Sequence, residues 1–321
     1  MKKLIQDKTS FLQDMLEGMK LTNSNIDIVE NTVVVRKTKK TDGVALVSGG
    51  GSGHEPAHAG YVAQGMLDAA VCGEVFTSPT PDKVLAAIKA VNNGSGVLLI
   101  VKNYAGDVMN FEMAQEMAEM EDIAVEMVVV ADDIAIEDSD KRRGVAGTVW
   151  VHKYAGYLSE QGIELHEIKK RVESLLEGMR SIGMALTPPL VPTTGQYGFD
   201  IDENEIEIGI GIHGERGLER TTIELVEKIV ERLVARLVDE VTTSEIIVMV
   251  NGMGGTPLSE LHIVTKYVAK QLAAYGKKVT HWYVGDYMTA LDMQGFSLTF
   301  APSDTSLLEA LKAPTESHYF D

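Results

Sequence analysis

An apolar stretch, Val44-Ala45-Leu46-Val47-Ser48, runs straight into Gly49-Gly50-Gly51-Ser52-Gly53 and closes on His54-Glu55-Pro56. The first part reads as a buried strand. The glycines after it let the backbone turn tightly and approach a ligand closely. A strand that ends this way is expected in an α/β fold with a site at its carboxyl end. Backbone N–H groups in such a loop can cradle a phosphate. A nucleotide-binding P-loop, however, needs Gly-Lys-Ser/Thr after its glycines, and here Gly53-His54-Glu55 stands there. The pattern G-x-G-x-x-G is not met either. The loop presents a histidine to something small.

The remaining chain repeats the α/β theme. Short β-branched runs are expected as strands at 32–36, 44–48, 96–101, 124–130, 205–212, 245–250, 278–284 and 296–300. Several are apolar on both faces, as buried strands of an α/β sheet are. Helices are expected at 144–158, 165–184 and 258–275. Thr221-x-x-Glu224 reads as a capping box opening a further helix through Ile223, Val226, Val230, Leu233 and Leu237. The Pro-, Thr- and Gly-rich segment 187–198 is the best linker. The expected organisation is two α/β domains, 1–184 and 185–321, with the ligand site near their junction.

Charge narrows the partners. At 321 residues the net charge is −18, and the one tight basic group, Lys141-Arg142-Arg143, is flanked by acids. Phosphate backbones are bound by clustered Lys and Arg, so direct nucleic-acid binding is not expected. No apolar run reaches the length of a membrane span, and Met1 to Asp7 turns polar too early for a signal peptide. With Cys72 as the single cysteine there is no internal disulfide framework, and a cytoplasmic protein is expected.

Three stretches place an ionisable residue beside glycines at a strand end: Gly51-Ser52-Gly53-His54, Lys102 to Asp107, and Gly209 to Glu215 around His213. Ligands of open α/β sheets bind at such ends. Three chemistries stand open for His54, Lys102, Asp107 and His213. Two His and one Asp are common metal ligands, yet no short spacing such as H-x-x-x-H appears. Ser52 lies among glycines, but His54 stands where a nucleophile elbow needs its second glycine. The third is capture of a small polyhydroxy carbonyl compound. There an imidazole adds to the carbonyl carbon, an acid or base moves the protons, Asp107 accepts from a hydroxyl and Lys102 donates to an oxygen.

Plainer roles compete for these residues. His58, His152, His166, His262, His281 and His318 are taken as structural or surface residues. Taken alone, His213 is a turn residue as readily as a functional one. Asp107 also suits the N-cap of a helix at 108–120. Met109, Met113, Met117 and Met120 recur at helical spacing and read as a core-facing stripe. The acidic run from Asp132 to Asp138 reads as a solvated loop before it reads as a cation site.

Seven segments, in chain order, carry a family resemblance. They are Val47–Tyr61, Cys72-Gly73-Glu74-Val75-Phe76-Thr77-Ser78-Pro79, Lys102–Phe111, Arg142–Thr148, Gly209–Glu215, Asn251-Gly252-Met253-Gly254-Gly255-Thr256-Pro257-Leu258, and Val284-Gly285-Asp286-Tyr287-Met288-Thr289. Together they resemble the dihydroxyacetone-binding subunit family of dihydroxyacetone kinases over nearly the whole chain. The resemblance implies a two-domain α/β homodimer acting in glycerol metabolism. Its ligand, dihydroxyacetone, would be held as a hemiaminal on His213. His54 would transfer protons, Asp107 would act as acid/base and hydroxyl ligand, and Lys102 with Gly51, Ser52, Gly53 and His54 would make further contacts. A carbonyl can form a hemiaminal and glycerol cannot, so selection is by reactivity. No cofactor or metal is implied. In the bacterial branch the phosphoryl group comes from a separate nucleotide-carrying subunit served by the phosphotransferase system, which suits the missing P-loop.

Two departures stand out. The family usually reads His-Gly-Glu-Pro-Gly, and here the loop is His213-Gly214-Glu215-Arg216-Gly217. Proline fixes a backbone angle that arginine leaves free. The segment between Ser139 and Arg142 is also shorter than usual. A kept ligand site with altered partner surfaces is what the family's non-kinase paralogue should show. That paralogue is an operon coactivator which joins a TetR-type transcription activator. The departures put this coactivator ahead of the kinase subunit as the expected function.

Overall fold

The computed structural model describes residues 2–320. Its first half builds a six-stranded sheet from β1 (Ile26–Val29), β2 (Val33–Arg36), β3 (Ala45–Ser52), β4 (Ala69–Val75), β5 (Val97–Lys102) and β6 (Val125–Val130). Their order is β1-β2-β4-β3-β5-β6. The four strands from β4 to β6 run parallel, and β1 and β2 add an antiparallel edge. Helices α1 (Phe11–Thr22), α2 (Pro81–Val91), α3 (Ala105–Glu119), α4 (Gly147–Glu160) and α5 (Leu165–Gly178) accompany it.

The chain then enters a second six-stranded sheet. Its strands are β7 (Arg180–Ala185), β10 (Glu205–Ile208), β11 (Glu219–Thr222), β12 (Glu245–Gly252), β13 (Lys278–Gly285) and β14 (Gly295–Pro302), in the order β11-β10-β7-β14-β12-β13. Only β12 and β13 are parallel. A small hairpin of β8 (Leu190–Val191) and β9 (Gln196–Tyr197) lies between β7 and β10. Helices α6 (Val226–Glu240), α7 (Leu258–Ala274) and α8 (Thr305–Lys312) complete the chain.

The apolar contacts stack these elements in layers. One core joins the outer face of the first sheet to α2 and α3 through Val47, Leu99, Ile88 and Phe111. Another joins the second sheet to α6 and α7 through Val248, Leu298, Leu233 and Val268. Between the sheets lie α4, α5 and α8. Leu46 and Ile100 of the first sheet share a single core there with Trp150, Val172, Leu311, and Ile247 and Met249 of the second. Helix α4 is buried nearly all round because it lies in this middle layer, and its buried residues include His152 and Lys153.

Several expectations are corrected by tertiary pairing. The expected helix 165–184 stops at Gly178, and 180–185 becomes β7, paired antiparallel with β14 from Arg180 opposite Phe300 to Ala185 opposite Gly295. Helical spacing runs on through Met179 and Ile182, but a Cβ at Gly183 would press on Met253 and Ile210, a closeness that suits a central strand. The capping box does not form. Thr221 pairs with Ile206 in β11, α6 starts at Val226 without a side-chain cap, and Ile223 is exposed. Expected strand 205–212 ends at Ile208, while expected strand 44–48 extends to Ser52. Asp107 is not an N-cap: α3 begins at Ala105 with Tyr104 capping, and Asp107 lies in its first turn.

The methionine stripe, apart from the half-buried Met117 that packs at the edge of the core, also faces the other way. Phe111, Ala114 and Ala118 form the buried face of α3, and Met109, Met113 and Met120 are exposed. Both rows have helical spacing, so periodicity could not choose between them. The acidic run is not a solvated loop at its start. Asp132 is buried, accepting from the Val145 and Gly147 N–H groups, and Asp133 is buried against Arg143 at 2.7 Å. Burial raises the Asp133 carboxyl to about 6, against the opposing charge of Arg143.

Candidate functional site

The carboxyl ends of β3 and β5 open toward the loops of the second sheet. Gly53 and His54 leave β3 and are stitched to the loop after β13. The Leu291 N–H donates to the Gly53 carbonyl at 2.7 Å, and the Thr289 hydroxyl donates to the Glu55 carbonyl at 2.8 Å. That loop is itself held by Asn251 at the end of β12, whose side chain accepts from the Tyr287 and Met288 N–H groups and donates to the Met288 carbonyl. A Cβ on Gly53, at φ +105°, would meet the Phe76 ring, and one on Gly51 would strike the backbone at Phe76 and Thr77. The glycines therefore permit close packing of the loop against its neighbours.

His54 is fully buried. Its ring lies on Phe76 with centroids 5.3 Å apart. Its Nδ1 is 2.8 Å from the Thr289 carbonyl, an acceptor, so Nδ1 carries the hydrogen and Nε2 is left to accept. That Nε2 is 3.0 Å from Nε2 of His213. His213 arrives on the loop after β10, with Nδ1 2.9 Å from Glu215 Oε1 and its own N–H donating to Oε2 at 3.0 Å. A carboxylate facing Nδ1 requires a hydrogen there too. Two bare Nε2 lone pairs would then oppose each other, so a hydrogen bond between the rings requires a shared proton there.

Burial pushes the His54 imidazole well below its ordinary range, and the nearby His213 and Lys102 add to this. Burial alone would raise the Glu215 carboxyl. The hydrogen bond and charge of His213 outweigh it and hold that pKa at about 2. Tyr104 meets the His213 ring edge-on at 4.5 Å, and its buried hydroxyl has no partner among the described residues.

Beneath β3 lies a second cluster. Lys102, buried at the end of β5, donates to His58 Nε2 at 2.9 Å, to the Gly49 carbonyl at 3.3 Å and to Asp107 Oδ2 at 3.5 Å. Gly50 covers it: a Cβ there would collide with Lys102 Nζ and crowd Asp107. Asp107 Oδ1 is buried and has no hydrogen-bond partner among the described residues.

The structure thus brings His54 and His213 together, with Lys102 and Asp107 beneath the same strand end. Ser52 differs. Its hydroxyl donates to the Gly73 carbonyl at 2.7 Å, away from the imidazoles. Phe76, Tyr104, Glu215 and Thr289 were not singled out as site residues in the sequence. Each lay within a resembling segment, which was the available signal. His58 and His152, set aside as structural, belong to the buried cluster.

Residues 17–319 match the Dak1 domain model. The chain belongs to the Dak1 family. It is 48% identical to the dihydroxyacetone-binding subunit of a PTS-dependent dihydroxyacetone kinase from Listeria innocua, over 99% of both chains. It is 37% identical to the PEP-dependent Escherichia coli subunit, over 99% of this chain and 98% of that one. Among solved structures, the dihydroxyacetone kinase operon co-activator superposes with a TM-score of 0.92 at 37% identity, covering 96% of this chain and 98% of that one. The dihydroxyacetone kinase of C. freundii superposes at 0.94 with 36% identity, and this chain spans 60% of its length. No described helix is long and apolar enough to cross a membrane.

Proposed function

We propose that the chain is the dihydroxyacetone-binding subunit of a phosphotransferase-dependent dihydroxyacetone kinase, holding its substrate on His213. The observation that carries this reading is the pairing of two proton-handling devices in one site. Capture alone needs the His54–His213 pair. A buried Asp107 with a free Oδ1, anchored through its other oxygen by Lys102, is further equipment for drawing a proton from a substrate hydroxyl.

Capture begins with the proton between the imidazoles moving onto His54 Nε2. The freed lone pair of His213 Nε2 attacks the carbonyl carbon, and the C=O π pair moves to oxygen. His54 then gives its proton to that oxygen, leaving a hemiaminal hydroxyl and a neutral His54. The alkylated His213 ring keeps its positive charge against the Glu215 carboxylate. The rings must part for this, since a bonded carbon would fill the 3.0 Å gap. In the next step a ligand hydroxyl oxygen attacks the terminal phosphoryl group of a nucleotide carried by the partner subunit. Its proton goes to Asp107 as the nucleotide diphosphate leaves. Such a subunit would work in the cytoplasm as a homodimer.

The Listeria innocua kinase subunit is 48% identical to this chain, against 37% for the co-activator structure, which also supports the kinase reading. The co-activator reading, with a TetR-type activator as partner, is favoured by the loop beside His213. Arg216 is exposed there, and the short 139–141 turn lies on the surface. Reconstitution with a nucleotide-carrying subunit and its phosphotransfer supply decides between them. Turnover is expected. No turnover, together with ligand-dependent capture of a DNA-binding activator, would establish the second reading instead.

A further inference from the structure

The Lys102 ammonium has three N–H donors, and all three are engaged, one of them by His58 Nε2. That contact propagates. An imidazole accepting at Nε2 carries its hydrogen on Nδ1, which faces Ser48 Oγ at 3.3 Å. The Ser48 hydroxyl donates to the Ile100 carbonyl at 2.7 Å, so its oxygen is left to accept. His152 Nε2 approaches the same oxygen at 3.1 Å and must donate to it. A serine hydroxyl offers one donor and two lone pairs, and all are used. His152 Nδ1 then has to be a bare acceptor, and it is a buried atom without a partner among the described residues. Every polar group from Asp107 to His152 is buried, and a single assignment of hydrogens satisfies every bond.

We propose that His58, backed by Ser48 and His152, is a positioning residue that fixes Lys102 against Asp107 and so sets how strongly Asp107 binds a ligand hydroxyl. Without the acceptor at His58 Nε2, one ammonium N–H would be unpaired in a buried site. The ammonium would then be drawn toward the remaining acceptors, and Asp107 would no longer keep one oxygen free. Buried networks of this kind act as units, so their members are energetically coupled. Among the described residues, the other titratable groups facing the cluster are His54, which feels the Lys102 charge, and Tyr61, whose ring lies 6.0 Å from that of His152.

The inference rests on the reading that Asp107 receives a hydroxyl of a ligand captured on His213. It is independent of the kinase partner, and its test is a double-mutant cycle on dihydroxyacetone affinity, read by titration calorimetry. Intact-mass detection of the adduct serves as the control. Expected for His58→Leu is a loss of roughly tenfold, shrinking to under about twofold in an Asp107→Asn background. His58→Gln places an amide near the Nε2 position and is expected to recover most of the affinity. Additive losses would make His58 merely structural, and a Gln variant as weak as the Leu one would exclude the hydrogen bond as cause. Either result overturns the proposal. Should His58→Leu not fold, Ser48→Ala reads the same coupling at roughly threefold, and an absence of coupling there overturns it equally. A wild-type protein that forms no adduct would sink the capture reading and this inference with it, whereas an intact adduct with additive losses sinks only this inference.

Discussion

The two histidines that meet at 3.0 Å sit on loops of opposite character. His54 is wholly buried, stacked on Phe76 and tied by Nδ1 to a carbonyl of the other half of the molecule. His213 has a side chain 19% exposed, and its loop closes on itself through long contacts of 3.4 Å, Gly211 N–H to the Glu215 carbonyl and Gly214 N–H to the Gly211 carbonyl. Its ring is steered by Glu215, a neighbour in its own loop. The group that must move to admit a carbon is thus the loosely held one, and the group that must meet the carbonyl oxygen with a proton is fixed. This division predicts that damage on the His54 side slows chemistry, while damage on the His213 side changes how much ligand is held.

The strongest test removes the nucleophile. His213→Ala is expected to abolish the mass increase of one dihydroxyacetone, and an adduct surviving on the variant would break the comparison outright. His54→Gln comes next. It is expected to slow adduct formation by about 10²-fold or more while final occupancy falls far less, since general acid–base groups contribute at that scale. Stopped-flow capture against equilibrium mass analysis separates the two quantities. Glu215→Gln should do the reverse: it removes the carboxylate facing the alkylated ring, weakening occupancy roughly tenfold with a smaller change in initial rate.

Acid should act on the fixed side through stability. His58 and His152 are held uncharged by burial, His58 well below its ordinary value and His152 at about 3. The unfolded chain binds protons on both as pH falls below about 6.5, and the folded chain does not. Stability is expected to fall by about 1.4 kcal/mol per pH unit for each group on going below that value. Denaturant midpoints between pH 7 and pH 5 measure this, and His152→Gln should flatten the slope. Glu215 acts in the same direction at lower pH. With its folded pKa near 2 against 4.5, its contribution is complete above pH 4.5 and is lost as pH falls toward 2. The smallest effect is expected from Arg216→Pro. No backbone bond of the Arg216 N–H is lost, so stiffening the loop should strengthen capture by up to about fivefold through a less flexible unbound chain.

The site was legible wherever chemistry and local backbone coincide. The glycines before His54, the glycines flanking His213, and Lys102 with Asp107 after a strand all follow one rule of α/β sheets. What escaped were residues whose importance is a matter of aim. Glu215 is one acid among many until it points at His213 Nδ1, and Thr289 matters only through a carbonyl. His58 and His152 looked dispensable because a lone histidine usually is. Ser52 looked like a ligand because it stands among the glycines, yet its hydroxyl turns to Gly73. Likewise β7 and β11 were hidden because their sequences suit helices, and only pairing with β14 and β10 makes them strands.

Sequence alone determined the α/β class, the Dak1 family and the four ionisable residues of the candidate site, because each depends on a residue type next to its chain neighbours. Tertiary structure decided which of two helical rows on α3 is buried, which imidazole is rigid, and how the hydrogens are distributed from Asp107 to His152. Those depend on contacts between groups as far apart in the chain as His54 and Thr289. A hydrogen bond is defined by distance and direction, and neither exists until the sheets and the layer of helices between them are assembled.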